Sequence, residues 1–279
     1  MNTRQKEKMV HMDQRIIEEA KQLAIAAAKE AGAIAKAYFD KLEKVDQKGD
    51  NGDLVTVVDH LAEERILEHI RSTFPDHRIR AEESGDHGQR SDWLWLVDPL
   101  DGTNNYAIGL PAFSCSITLM HQGQPVVAVV YEPMIDRLFV SIRNGGTTCN
   151  GQPVTNGPAP AFNKATVAWI QGHVVGSDDR ATRLRNHIDL HTKRMMRLWA
   201  PTLQWCMLAR GNIDAIILYN SEGEDLYSGV LIAKEAGMLV MDFEGKPFDA
   251  MTEEPYLIAC HPENRDYFLN MALEGLGAR

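Results

Sequence analysis

Apolar residues at Ile16, Ala20, Leu23, Ala27, Ala31, Ile34 and Tyr38 recur every three or four positions, a period that predicts one long helix over residues 13 to about 44. Residues 45–53 then turn polar, with Gly49 and Gly52, and are expected to form a mobile loop. A second helix is expected from about Asp59, with Leu61, Ile66 and Ile70 on its apolar face. The pattern changes at residues 93–142. Segments 113–120, 126–132 and 137–142 are rich in β-formers and are separated by Gly-Gln-Pro and Pro-Met-Ile-Asp turns. Residues 166–171 and 213–218 are further strand candidates, and 177–195, 204–210 and 225–236 are expected to be helices. With no internal repeat and no low-complexity linker, the alternation points to a layered α/β or α+β architecture.

The bulk properties narrow this picture only slightly. The chain has 279 residues, 44% hydrophobic and 24% charged, enough for one large domain or two closely joined ones. A formal net charge of −10 argues against a general nucleic-acid binder, although bound cations can reverse the local sign for an anionic substrate. Cys115, Cys149, Cys206 and Cys260 are widely spaced without a Cys-x-x-Cys pair, and Cys115 and Cys206 sit in apolar runs as expected of core residues. Residues 1–8 are polar with no apolar stretch behind them, so no secretory signal is expected. The apolar run at 23–28 is too short to span a bilayer. A reduced cytoplasm is the default compartment, with no membrane partner.

Chemistry concentrates after the apolar stretch 93–97, in Asp98-Pro99-Leu100-Asp101-Gly102-Thr103. Two carboxylates three residues apart can share hard cations, which prefer oxygen ligands. Gly102 and Thr103 offer backbone N–H groups where a helix can begin and an anion can sit. The plain alternative is a strand followed by an acidic turn. Three further acidic segments accompany it: the apolar run before Asp59, Glu82-Glu83 after a short apolar segment, and Glu224-Asp225 at the start of an apolar helix, where Asp225 could equally be an N-cap.

In this order the segments resemble the inositol monophosphatase family of magnesium-dependent, lithium-sensitive phosphatases, from about Lys48 to Asp249. The resemblance rests on Asp98 to Thr103, on Asp-Leu-Val-Thr before Asp59, on Glu82-Glu83-Ser84, on the Asp225-to-Gly237 segment and on Lys246-Pro247-Phe248-Asp249. It implies the αβαβα sandwich of the inositol monophosphatase and fructose-1,6-bisphosphatase type. It also implies one catalytic domain over 1–279, α+β to about 150 and α/β beyond. Glu82, Asp98 and the Leu100 carbonyl would hold a first Mg²⁺, and Asp98, Asp101 and Asp225 a second. Gly102, Thr103 and Asp225 would contact phosphate and substrate. Asp59, Thr103 and Glu82 would act on the attacking water. Lys48 falls at a loop lysine near a third, weakly held ion. The all-oxygen donor set independently suits Mg²⁺ over zinc, and residues 49–53 could close over the site.

The match departs from the family at the substrate. Glu224 stands where Trp is usual, Tyr227-Ser228 replaces small residues, and Arg197-Leu198-Trp199-Ala200-Pro201-Thr202 replaces an Arg followed by Gly-Ser-Ala or Gly-Thr-Ala. Seven positions before Asp225, where an acidic sugar-binding residue is common, lies Leu218, with Asn220 and Glu222 as stand-ins. Of the five tryptophans, Trp199 alone is expected near the substrate wall. His187 and His191 have metal-binding spacing but lack the His-Glu-x-x-His pattern, so a solvated helix face is expected. The expected activity is Mg²⁺-dependent hydrolysis of a small polyol or sugar phosphate of the inositol monophosphate kind. Histidinol phosphate, fructose bisphosphate and 3′-phosphonucleotides are alternative substrates. A binding or regulatory protein that keeps the fold is the rival of another class, and homodimer formation is left open.

Overall fold

The computed structural model describes residues 3–42, 44–48, 53–157, 165–172, 175, 178–249 and 251–277. In chain order, α1 (Thr3–Tyr38) precedes the hairpin β1 (Val45–Lys48) and β2 (Asp53–Thr56), then α2 (Val57–Thr73), β3 (Arg78–Ala81), β4 (Gly85–His87), β5 (Trp93–Asp101) and the short α3 (Thr103–Ala107). Five strands follow: β6 (Ser114–His121), β7 (Gln124–Glu132), β8 (Arg137–Ile142), β9 (Gly146–Cys149) and β10 (Gln152–Val154). The remainder is β11 (Thr166–Gln171), α4 (Asp179–His191), β12 (Arg194–Met196), α5 (Pro201–Ala209), β13 (Ala215–Tyr219), α6 (Leu226–Glu235), β14 (Leu239–Asp242), β15 (Tyr256–Cys260) and α7 (Arg265–Gly275).

Two sheets separate three helical layers. The larger has the order β10-β9-β8-β7-β6-β5-β3-β4 and the smaller β12-β11-β13-β15-β14. Ala20, Ala24, Ala27 and Ala31 of α1 and Ile66 and Ile70 of α2 pack on Trp95, Val97, Ile117 and Val129 of the larger sheet. Small alanines on α1 let its axis come close to the strands. On the opposite face, Leu96 and Met120 meet Trp205 and Leu208 of α5 and Val230 of α6. Alternation along β13 closes the stack. Ile216 and Leu218 point to α5 and α6, while Ala215, Ile217 and Tyr219 point to α4 and α7. The order helix, sheet, helix, sheet, helix is the αβαβα sandwich expected.

Four boundaries depart from the sequence reading. Helix α1 ends at Tyr38, short of 44, because Asp40 adopts a positive φ of 60° and Phe39 turns in to pack 5.5 Å from both Tyr106 and Phe113. Within the loop expected over 45–53, residues 45–48 and Asp53 instead join the β1–β2 hairpin, with Lys48 opposite Asp53. The polar run Asp46-Gln47-Lys48 and the glycines beyond it hid that pairing. Of the segment expected to close over the site, 49–53, residues 49–52 lie outside the described residues, and Asp53 opens β2. Residues 194 and 195, the end of the helix expected over 177–195, instead open β12 (194–196) at the edge of the smaller sheet, next to β11. Helix α5 starts three residues early, at Pro201, which fits the first helical turn because it lacks an N–H. Among the described residues no helix is long and apolar enough to cross a membrane. His187 and His191 stack at 4.0 Å on α4 in the outer layer.

Gly229 sets the separation of the two middle helices. A Cβ there would stand 2.3 Å from Cγ and Cδ1 of Trp205, a fully buried ring. Gly229→Ala is therefore expected to lower stability by about 1–3 kcal/mol through overpacking, with Gly229→Val worse. Urea denaturation reads this as a lower midpoint, and a wild-type midpoint would contradict the close approach.

Candidate active site

Thr56 is the N-cap of α2 and begins the site. Its hydroxyl accepts the Val58 N–H at 3.1 Å, and its own N–H and hydroxyl donate to Asp59 Oδ2 at 2.7 and 2.6 Å. This reciprocal cap is the Thr-x-x-Asp spacing of residues 56–59, legible in the sequence as a helix start. It immobilises a fully buried carboxylate whose other oxygen, Oδ1, takes the Thr103 hydroxyl at 2.8 Å. Burial raises the Asp59 pKa, and the bonds from Thr56 and Thr103 oppose the rise. The Thr103 hydroxyl also reaches the Leu100 carbonyl at 2.9 Å. It has one proton, so donation to Asp59 leaves that carbonyl free.

Asp98 and Asp101 lie in β5 itself, not in a turn beyond it. Residues three apart point to opposite faces of a regular strand. Here the register shifts between Asp98, opposite Ser116, and Asp101, opposite Ser114, so three steps on β5 span two on β6. The extra residue, a bulge at Pro99–Leu100, turns both carboxylates toward one cavity. Asp98 Oδ1 accepts the Leu100 N–H at 3.0 Å. Asp101 Oδ2 takes the Thr202 N–H at 2.9 Å, the Thr202 hydroxyl, and the Ser114 hydroxyl at 3.3 Å. Because Pro201 has no N–H, the first donor at the start of α5 is Thr202, aimed at Asp101.

Asp225 stands at the N-cap position of α6, as the plain sequence alternative had it, but makes no side-chain capping bond there. Its carboxylate instead borders the cavity, beside Gly223, where a Cβ would fall 2.3 Å from Oδ1. Glu82, just beyond β3, retains 30% side-chain exposure and accepts Lys48 Nζ at 3.0 Å. Lys48 also pairs with the nearly buried Glu83, whose N–H is held by Glu63 at 2.8 Å. Burial pushes Glu83 up to about 7 against the pull of Lys48. Burial lowers the Lys48 pKa, but Glu82 and Glu83 outweigh it and keep the ammonium charged.

These groups line a cavity of about 870 Å³ between the two sheets, with Glu82, Asp98, Asp101, Thr103 and Asp225 on one wall. Asp59 sits behind Thr103. Asn220 and Glu222 line the same cavity, as does Trp199, which is 59% exposed. Trp169 also borders the cavity, so Trp199 is not alone there. Leu218, seven positions before Asp225, does not line the cavity. Leu218 is 1% exposed and packs into the middle layer against α5 and α6. Strand alternation places it away from the rim, and the polar residues after β13 take its place. Sequence reasoning missed Ser114, Thr202 and Glu63. Only Thr202 carried a signal, as the residue after a proline that opens an apolar run.

One sign of charge crowds this wall. Burial, then the charges of Glu82, Asp101 and Asp225, raise Asp98 well above the ordinary carboxylate range. Burial brings Asp101 up to about 7 against the Thr202 bonds, and burial and Asp101 raise Asp225 as well. Among the described residues no three His, Cys, Asp or Glu side chains converge as a finished metal cage. The donors are nonetheless carboxylates and a main-chain carbonyl, without His or Cys, and suit a hard cation that retains several of its own waters.

A profile of the inositol monophosphatase family matches residues 16–274. The chain is 36% identical over 234 residues to the Nus factor SuhB of Pasteurella multocida, covering 80% of this chain and 85% of that one. It is 32% identical over 260 residues to the fructose-1,6-bisphosphatase/inositol-1-monophosphatase of Aquifex aeolicus, covering 90% and 94%. The solved Thermotoga maritima IMPase superposes with a TM-score of 0.83 at 25% identity, over 93% of this chain and 99% of that one. Motif order, layered fold and these likenesses agree, and the chain belongs to the inositol monophosphatase family of phosphatase enzymes.

Proposed function

We propose that the chain is a Mg²⁺-dependent phosphomonoesterase acting on a small phosphorylated polyol or sugar. The observation that carries this reading is the chain of contacts Asp59–Thr103–Leu100 at the edge of a cavity lined by Asp98, Asp101 and Asp225. Mg²⁺ held by Glu82, Asp98, the Leu100 carbonyl, Asp101 and Asp225 would neutralise phosphoryl oxygens and make a bound water acidic enough to attack. Thr103 Oγ orients that water by accepting from it while donating to Asp59. Asp59, raised in pKa by burial, would take the proton, with Glu82 helping. The Gly102–Thr103 turn offers backbone N–H groups to the phosphate, and Asp225 borders the substrate. The turn needs a φ of 102° at Gly102, and a Cβ there would meet the Trp199 and Ala112 carbonyls near 3.1 and 3.0 Å.

The reading of a binding protein is favoured by one observation, the name Nus factor carried by a relative at 36% identity. The net charge of −10 leaves a protein as the better partner than bare nucleic acid. Turnover decides between the two readings, since binding alone releases no phosphate.

Phosphate release should require Mg²⁺ and stop in chelator. Asp98→Asn, which removes a carboxylate that would help hold the cations, should lower kcat by about 10³-fold or more. Full turnover of that variant, or of wild type in chelator, would overturn the reading.

Thr103→Ala should lower kcat by about 10²-fold with KM within a few-fold, because the backbone N–H groups remain while the water loses its guide. Thr103→Ser should restore most of the loss. Steady-state kinetics on one phosphate ester reads both, and a large KM change at normal kcat would place Thr103 on the substrate instead.

A further inference from the structure

Glu63 is a buried acid with no part in the chemistry at the cavity. It lies on α2, one turn after Asp59, and is 3% exposed. Acidic side chains four apart on a helix repel one another, so the local helix gains nothing from this pair. Glu63 does not line the cavity, which leaves it out of reach of substrate and ion. Its carboxylate instead crosses to a distant segment, where Oε2 accepts the Glu83 N–H at 2.8 Å.

That N–H belongs to the turn that presents Glu82, and the turn is held at two successive amides. The Glu82 N–H donates to the Val97 carbonyl at 3.0 Å, and Val97 directly precedes Asp98 in β5. The Glu83 N–H donates to Glu63 on α2. One bond therefore ties Glu82 to the strand of Asp98, and the other ties it to the helix of Asp59. Only the second tie ends on a side chain. Lys48 also bridges Glu82 and Glu83, but it arrives from β1, which is mostly exposed. An ammonium on Glu82 also competes with any cation bound there.

We propose that Glu63 is a positioning residue for Glu82. By holding the Glu83 N–H it sets Glu82 against Asp59, so that one rigid helix aligns the acid at the attacking water with an acid that holds the ion. The inference rests on the Mg²⁺-dependent reading above. Groups that hold a metal ligand from behind govern metal affinity. The effect of Glu63 accordingly falls on Mg²⁺ binding and not on the substrate.

The test separates reach from charge in the full chain. Glu63→Gln keeps an acceptor oxygen at the same reach, whereas Glu63→Asp keeps the acid but is one methylene short of the Glu83 N–H. Glu63→Asp should raise the Mg²⁺ concentration for half-maximal turnover about tenfold, the lower end of what such supporting groups cost. Glu63→Gln should stay within about threefold of wild type, since a neutral acceptor makes the same bond more weakly. KM for the ester, and kcat at saturating Mg²⁺, should change by no more than a few-fold in either. The rise in Tm at a fixed Mg²⁺ concentration should be smaller in Glu63→Asp and near wild type in Glu63→Gln, which reads the same order without turnover. A purely structural role would instead lower the Tm in chelator and leave the half-saturating Mg²⁺ concentration unchanged. That result in Glu63→Asp, or Glu63→Gln as impaired as Glu63→Asp, overturns the proposal. If wild type turns over without Mg²⁺ and is not stabilised by it, the Mg²⁺ reading fails separately. Amide exchange at Glu83 in chelator then decides whether Glu63 holds the turn. Exchange about tenfold faster in Glu63→Asp than in wild type and Glu63→Gln supports it, and equal exchange in all three overturns it.

Discussion

Asp98, Asp101, Asp225 and Glu82 place negative charge on one wall of one cavity, and most of the architecture around them serves to hold that repulsion in place. Burial already disfavours a carboxylate, and like charges nearby add to the cost. The raised pKa values of Asp98 and Asp225 express both effects, with burial the larger. Single backbone and hydroxyl donors hold individual oxygens, as Thr202 does for Asp101, but they do not cancel the charge. The nearest cation in the described chain, Lys48, is taken up by Glu82 and Glu83. A folded chain arranged this way gains from any hard cation that binds it, because a ligand of the native state stabilises that state.

Helix ends and one bulge aim the groups. The start of α2 fixes Asp59, the start of α5 fixes Asp101, and the start of α6 carries Asp225, while the irregularity in β5 turns Asp98 and Asp101 to the same side. Close packing keeps those helix starts in register. Gly229 lets α6 lie against Trp205 of α5, so the two carboxylates at their ends depend on one tight contact. The three apolar layers on either side, each with its own fully buried large residue such as Trp95, Trp205 or Phe268, provide the rigidity.

Much of this was legible from residue order. The apolar period of α1, the strands β6 to β8 and the six-residue element at 98–103 announced themselves, because each is a local pattern. What stayed hidden depended on partners far away in the chain. Thr202 lies 101 residues from Asp101, and Ser114 joins the same oxygen from a neighbouring strand. Strand β1 looked like loop because Asp46, Gln47 and Lys48 are polar, and pairing rather than burial defines it. Leu218 was misplaced by counting positions from Asp225. One-residue alternation in β13 decides its side, and the count carried no information about strand phase.

The central claim, that charge repulsion at this wall is the cost the fold bears for its chemistry, is tested most directly by calorimetric melting at constant pH near neutrality. Wild type and Asp98→Asn are melted in chelator and across a Mg²⁺ series. The account predicts that Asp98→Asn melts at least as high as wild type in chelator, since it replaces a buried acid whose charged form burial and its neighbours disfavour, and that Mg²⁺ raises the Tm of wild type far more than that of the variant. A variant that melts well below wild type in chelator, or a wild-type Tm unmoved by Mg²⁺, would contradict it.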